Sequence, residues 1–125
     1  ALLVPLGTPE WLAHEDQLDA VTALAGSGPA FVYRFIAALA AGGAELGLDP
    51  AQAQRLALAT VEGAAALAAA SGEDPAELAR RVTSPGGTTA AGLAVLDNEG
   101  ALANLIAKTL RAARDRGAEL AAAAR

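Results

Sequence analysis

Residues 82–93 read Val-Thr-Ser-Pro-Gly-Gly-Thr-Thr-Ala-Ala-Gly-Leu, a rigid Pro and two Gly followed directly by two hydroxyls and an apolar helical stretch. Pro85 fixes φ and gives up a donor, and Gly86 and Gly87 permit backbone shapes that other residues avoid. Thr88 and Thr89 then stand where a helix begins, so free N–H groups lie beside their hydroxyls. Such a corner can hold a small anion, because the amide groups and the helix dipole both favour negative charge. A carboxylate-bearing metabolite suits it. The alternative on the pattern alone is a Gly-rich helix cap with no ligand.

A second block, Val21-Thr22-Ala23-Leu24-Ala25-Gly26-Ser27-Gly28-Pro29-Ala30-Phe31, lies upstream. Together with Glu77 to Val82, the Val-Thr-Ser-Pro-Gly-Gly-Thr-Thr run and the Leu93-x-x-Leu96 that follows, it resembles the signature of pyrroline-5-carboxylate reductases. The spacing of the two blocks is also similar, and the resemblance covers roughly residues 10 to 122. It implies hydride transfer from NADPH or NADH to the C=N bond of 1-pyrroline-5-carboxylate, giving L-proline. Members of that family begin with a dinucleotide-binding domain of strand-helix repeats. Here no G-x-G-x-x-G follows a strand, and the cluster at Gly26 is broken by Pro29. The likeness is therefore to the C-terminal helical domain, with the cofactor held mainly by a domain outside this chain and the fragment alone expected to be inactive.

The resemblance also distributes roles. The hydroxyl of Ser84, the Gly86 turn and the backbone N–H groups of Gly87, Thr88 and Thr89 are expected to hold the substrate carboxylate. Thr89 is expected to hydrogen-bond the ring nitrogen and so act as the catalytic residue; a Thr hydroxyl is a poor acid and would orient or relay a proton. Ser27 and Gly28 would face the nicotinamide end of the cofactor, with Thr22 close by on the substrate. For these glycines the alternative is a tight helix-helix corner. Glu62, Glu73 and Glu77 form no convincing acid-base pair and read as surface or capping residues.

The elements that must position these groups are helical. Apolar residues recur at helical spacing and no segment alternates with period two, so the expected fold is all-α, with about six helices in a dimerising domain. Residues 1–15 read as a linker from a missing N-terminal dinucleotide-binding domain, and 16–125 as the dimerisation and substrate-binding domain. Within the linker Trp11 reads as a packing anchor and His14 as a linker residue. The first helix is expected over 16–25 and stopped by Gly26. The second runs over 29–46, started by Ser27 or Gly28 with Pro29 at its first position. The third covers 50–71, with Asp49 as cap and Gly47 closing the helix before it. A short fourth covers 75–82, with Glu77 completing a capping box on Asp74. The fifth covers 88–99 and the sixth 101–123.

The second helix is apolar all round, which requires neighbours on every side. Its Gly42-Gly43 pair costs roughly 1 kcal/mol per residue against Ala, a cost that close helix contact or a bend explains. The 125 residues include 36 alanines and only 3% aromatics, so one copy alone should have a thin core. An obligate homodimer is the expected partner, and the resemblance extends this to a ring of dimers. The net charge of −5 and the scattered arginines fit a solvated surface rather than nucleic acid. With no cysteine and one histidine, thiolate chemistry is excluded and no metal site is expected. No run is apolar enough for a confident membrane span, since Arg34 interrupts the best one, and the opening residues lack a secretory pattern. A cytoplasmic protein is expected. Two other functions stay open: a helical oligomerisation module without ligand binding, and the helical domain of another small-acid dehydrogenase.

Overall fold

The computed structural model describes residues 9–123. Among these residues there is helix and no strand, in the order α1 (Leu18–Val21), α2 (Gly28–Glu45), α3 (Pro50–Ser71), α4 (Pro75–Arg81), α5 (Thr88–Asp97) and α6 (Ala101–Ala123). The expectation of about six helices is not matched at full length. Only α2, α3, α5 and α6 reach ten residues; α4 has seven and α1 four. The chain divides into two compact units, the first made of the residues up to Gly28 together with those from Ile106 onward and the second of Pro29–Leu105. Residues 1–8 of the expected linker lie outside the described residues.

In the second unit, local chemistry sets the boundaries. The Asp49 carboxylate accepts from the Gln52 N–H at 3.0 Å, with Pro50 at the first position of α3. The Asp74 carboxylate does the same for the Ala76 N–H at 2.8 Å, with Pro75 opening α4. Each satisfies an amide that the helix cannot. The end of α2 closes through Gly47 N–H to Ala44 O at 2.9 Å and Leu48 N–H to Gly43 O at 3.2 Å. That is a Schellman closure, and it folds Leu48 back over Gly43. A methyl group at Gly43 would lie 3.3 Å from Ala53 Cβ and 3.4 Å from Leu48 Cδ1. Gly43 therefore marks close approach of α2 and α3, while Gly42 has open space beside it.

Two local expectations fail. Gly26 does not stop the first helix. Thr22–Gly26 forms a π turn in which the Ser27 N–H reaches Thr22 O at 2.9 Å, and the helical path continues into α2. The helix thus starts at Gly28, and Pro29 is its second residue. Glu77 completes no capping box. Its carboxylate turns instead to Arg80, accepting from Nε at 2.9 Å and Nη2 at 2.5 Å, and lies 3.8 Å from Arg81. The carboxylate holds the Arg80 guanidinium above its already high ordinary pKa.

Burial is sparse. The buried apolar residues among those described are Ala23 in the first unit and Ala53 and Ala57 in the second. Larger side chains stay open, Val32 and Phe35 at 46% exposure and Leu46 at 90%. Trp11, expected to anchor packing, is 91% exposed among the described residues. On α2, Val32, Phe35 and Leu39 recur at helical spacing and are all 41–46% exposed, an apolar face of the kind that marks an interaction. Because the π turn joins the first segment to α2, residues Glu15–Glu45 form one helical run of 31 residues, long and apolar enough by composition to cross a membrane. The sequence reading missed that length by ending the helix at Gly26. Arg34 would cost roughly 3 kcal/mol near a bilayer centre, which favours a protein partner as cover for the exposed face.

Candidate functional site

The corner between α4 and α5 is held from both ends. At the α4 end, Thr83 is bonded twice. Its N–H donates to Arg80 O at 3.1 Å, and its hydroxyl donates to Ala79 O at 2.6 Å. The chain then turns at Ser84, whose carbonyl accepts the Gly87 N–H at 3.0 Å. Gly86 sits at φ +70°, a left-handed conformation that costs a residue bearing Cβ roughly 1 kcal/mol or more. Gly87 is needed for space. A methyl group there would meet Ser84 O at 3.1 Å.

Helix α5 starts directly after this turn, with Gly87 as its N-cap and no side chain to cap it. The first intrahelical bond is Ala91 N–H to Gly87 O at 3.1 Å. The amides of Thr88, Thr89 and Ala90 precede that bond, so the helix leaves them without intrahelical acceptors. Of the three donors expected to hold a carboxylate, Gly87 is already committed to Ser84 O. The open set is displaced by one residue and ends at Ala90, which sequence reasoning missed. Counting three positions on from a Gly N-cap would have found it. Ser84, Thr88 and Thr89 are exposed, and their hydroxyls make no hydrogen bond among the described residues. The corner thus presents three amides, three hydroxyls and the positive end of a ten-residue helix.

The second group of expected residues lies elsewhere in the chain. Thr22 opens the π turn and is exposed, while Ser27 and Gly28 are half-buried where that turn passes into α2. These three belong to the unit that ends at Gly28, and the α4–α5 corner belongs to the other unit. A Cβ at Gly28 would meet no atom within 4 Å, so the backbone there is open to a flat group. Single π turns of this kind recur at functional sites. No group of three His, Cys, Asp or Glu side chains able to hold a metal occurs among the described residues.

The nearby grooves have other linings. One of about 470 Å³ lies between α3 and α4, walled by Leu67, Leu78 and Val82 with Glu73 and Arg81 among its lining residues. The Arg81 Nη1 to Glu73 Oε1 distance is 2.9 Å.

Comparison with known proteins bears on this geometry. A family model described as pyrroline-5-carboxylate reductase dimerisation matches residues 15–120. A pyrroline-5-carboxylate reductase of Pseudomonas aeruginosa is 48% identical over 120 residues, covering 96% of this chain and 44% of that protein. Pyrroline-5-carboxylate reductase 2 of Bacillus subtilis is 42% identical over 127 residues, covering 99% and 45%. Among solved structures, the pyrroline-5-carboxylate reductase of Coxiella burnetii superposes with a TM-score of 0.85 at 40% identity, covering 91% of this chain and 42% of that one. The Plasmodium falciparum pyrroline carboxylate reductase, solved with NADP bound, gives 0.79 at 31% identity, covering 88% and 41%. The chain therefore spans under half the length of these relatives. The match runs through both sequence blocks and nearly every helix: the chain belongs to the pyrroline-5-carboxylate reductase dimerisation family.

Proposed function

We propose that this chain is the helical portion of an enzyme that reduces 1-pyrroline-5-carboxylate to L-proline, and that it supplies the substrate-carboxylate corner and the surface that pairs two copies. The observation that carries the reading is the uncapped start of α5, where the amides of Thr88, Thr89 and Ala90 open beside the hydroxyls of Ser84, Thr88 and Thr89. A carboxylate there would accept charge-assisted hydrogen bonds from rigid donors at a helix N-terminus. In this reading the Thr89 hydroxyl would hydrogen-bond the ring nitrogen and orient the proton it gains.

A bound nicotinamide cofactor supplies the hydride that the imine carbon receives. The chain's own contribution to that group is small. Ser27 and the open backbone at Gly28 suit the edge of a flat ring, while the greater part of the cofactor would rest on a dinucleotide-binding domain joined through residues 1–15. NADPH and NADH are both compatible with these residues.

The partner in this reading is a second copy of the chain, because the buried apolar residues among those described are three alanines and the α2 face is left in need of cover. A ring of dimers would occupy further apolar surface, such as Leu102 and Ile106 on α6. Cytoplasmic operation belongs to the same reading. The exposed α2 face also favours a second reading, a pairing module without ligand affinity. Reduction of 1-pyrroline-5-carboxylate by the full-length protein, with NADPH and NADH in turn, separates the two. Turnover with either cofactor supports the first. A well-folded dimer without turnover leaves the second.

A further inference from the structure

Thr83 lies inside the most distinctive run of the sequence, yet the proposed chemistry gives it no task. It does not face the open amides of α5. Instead it is half-buried and bonded back to α4 through both of its donors, N–H to Arg80 O at 3.1 Å and hydroxyl to Ala79 O at 2.6 Å. The carbonyls at a helix C-terminus have no intrahelical partners. Val82 N–H takes Leu78 O at 3.4 Å, and Thr83 answers the next two, Ala79 O through its hydroxyl and Arg80 O through its N–H. The residue after Thr83 is Ser84, whose carbonyl closes the turn on Gly87 and whose hydroxyl belongs to the proposed carboxylate site. The direction in which the chain leaves α4 is therefore set by Thr83, one residue before the site begins.

From this geometry we infer that Thr83 is a positioning residue for the carboxylate corner. Its hydroxyl clamps Ala79 O and so aims Ser84 and the α5 amides, without touching substrate itself. Three further contacts hold the same short helix in place, Glu77 with Arg80, Glu73 with Arg81 and the Asp74 cap, so the clamp works from a braced base. Without the hydroxyl, α4 would persist and the exit angle would loosen. The substrate would lose aligned donors while the rest of the protein kept its fold.

The inference rests on the function proposed above, and one experiment separates the fate of the two. The full-length protein is assayed as wild type, Thr83→Val and Thr83→Ser, with KM measured for both 1-pyrroline-5-carboxylate and the nicotinamide cofactor. Val keeps the branched shape and removes the hydroxyl; Ser keeps the hydroxyl. The expected result is a KM for the imino acid raised about five- to tenfold in Thr83→Val, the scale of one lost hydrogen bond. Cofactor KM and assembly state should be unchanged, and Thr83→Ser should lie within about twofold of wild type. Wild-type kinetics in Thr83→Val would overturn the inference. So would equal impairment of Val and Ser variants, or a parallel rise in cofactor KM. A wild type that does not reduce the substrate removes the functional reading itself, and the positioning role with it.

Discussion

The Gly87 N–H donates to Ser84 O at 3.0 Å, and this one bond decides which amides the corner can offer. It closes the turn, commits the Gly87 donor, and leaves Thr88, Thr89 and Ala90 as the open set at the start of α5. The same closeness crowds any side chain at Gly87, because an added Cβ would stand 3.1 Å from Ser84 O. Gly87→Ala should therefore spread the turn at a cost of about 1 kcal/mol in stability. It should also raise KM for the imino acid more than KM for the cofactor. Steady-state kinetics on the full-length protein, with both substrates varied, check this.

Pairing through α2 predicts a different sensitivity. Val32, Phe35 and Leu39 stay 41–46% exposed in a single copy although all are large and apolar. Phe35→Glu would place a charge where a partner must desolvate it, at a cost of several kcal/mol. Sedimentation velocity should show the wild type as a dimer or larger and the variant shifted towards monomer.

Glu99 adopts φ +52°, a left-handed conformation in a residue with a Cβ, at the kink between α5 and α6. Its backbone carbonyl accepts from the Asn104 Nδ2 at 3.1 Å, so the contact it makes there does not need its own side chain. Glu99→Gly should relieve the backbone cost and stabilise the protein by about 1 kcal/mol. Urea unfolding at fixed protein concentration reads the gain.

Asp49 caps α3 through the Gln52 N–H at 3.0 Å. Asp49→Ala removes that acceptor and should cost about 1 kcal/mol, whereas Asp49→Asn should cost far less because its amide oxygen can still accept. The same unfolding assay distinguishes the two variants.

How much of this was legible in the sequence follows from the range over which each feature is decided. Asp49-Pro50, Asp74-Pro75 and Gly47 act within one turn, and the expected starts of α3 and α4 and the close of α2 agree with the structure. The Ser84 to Thr89 corner was legible for the same reason, since Pro85, Gly86 and Gly87 restrict the chain locally. Gly26 misled because a glycine permits a helix end without requiring one, and the Thr22 carbonyl offered the Ser27 amide a π-type bond instead. Glu77 misled because its spacing suits both a capping box and an ion pair, and Arg80 one turn later won it. Trp11 was read as packed because tryptophan usually is, yet it is 91% exposed among the described residues, and burial depends on contacts beyond its own stretch of chain. No local pattern carries that information.

The central claim is that the α4–α5 corner holds the substrate and that the Thr89 hydroxyl serves the ring nitrogen. The most direct measurement is kcat for reduction of 1-pyrroline-5-carboxylate by the full-length protein with Thr89→Ala and Thr89→Ser, assembly state checked in parallel. Positioned proton handling contributes about 10²–10⁴-fold where it operates. The account predicts a kcat lowered about a hundredfold in Thr89→Ala, largely restored in Thr89→Ser, with the dimer intact in both. Undiminished turnover in a dimeric Thr89→Ala protein would contradict it.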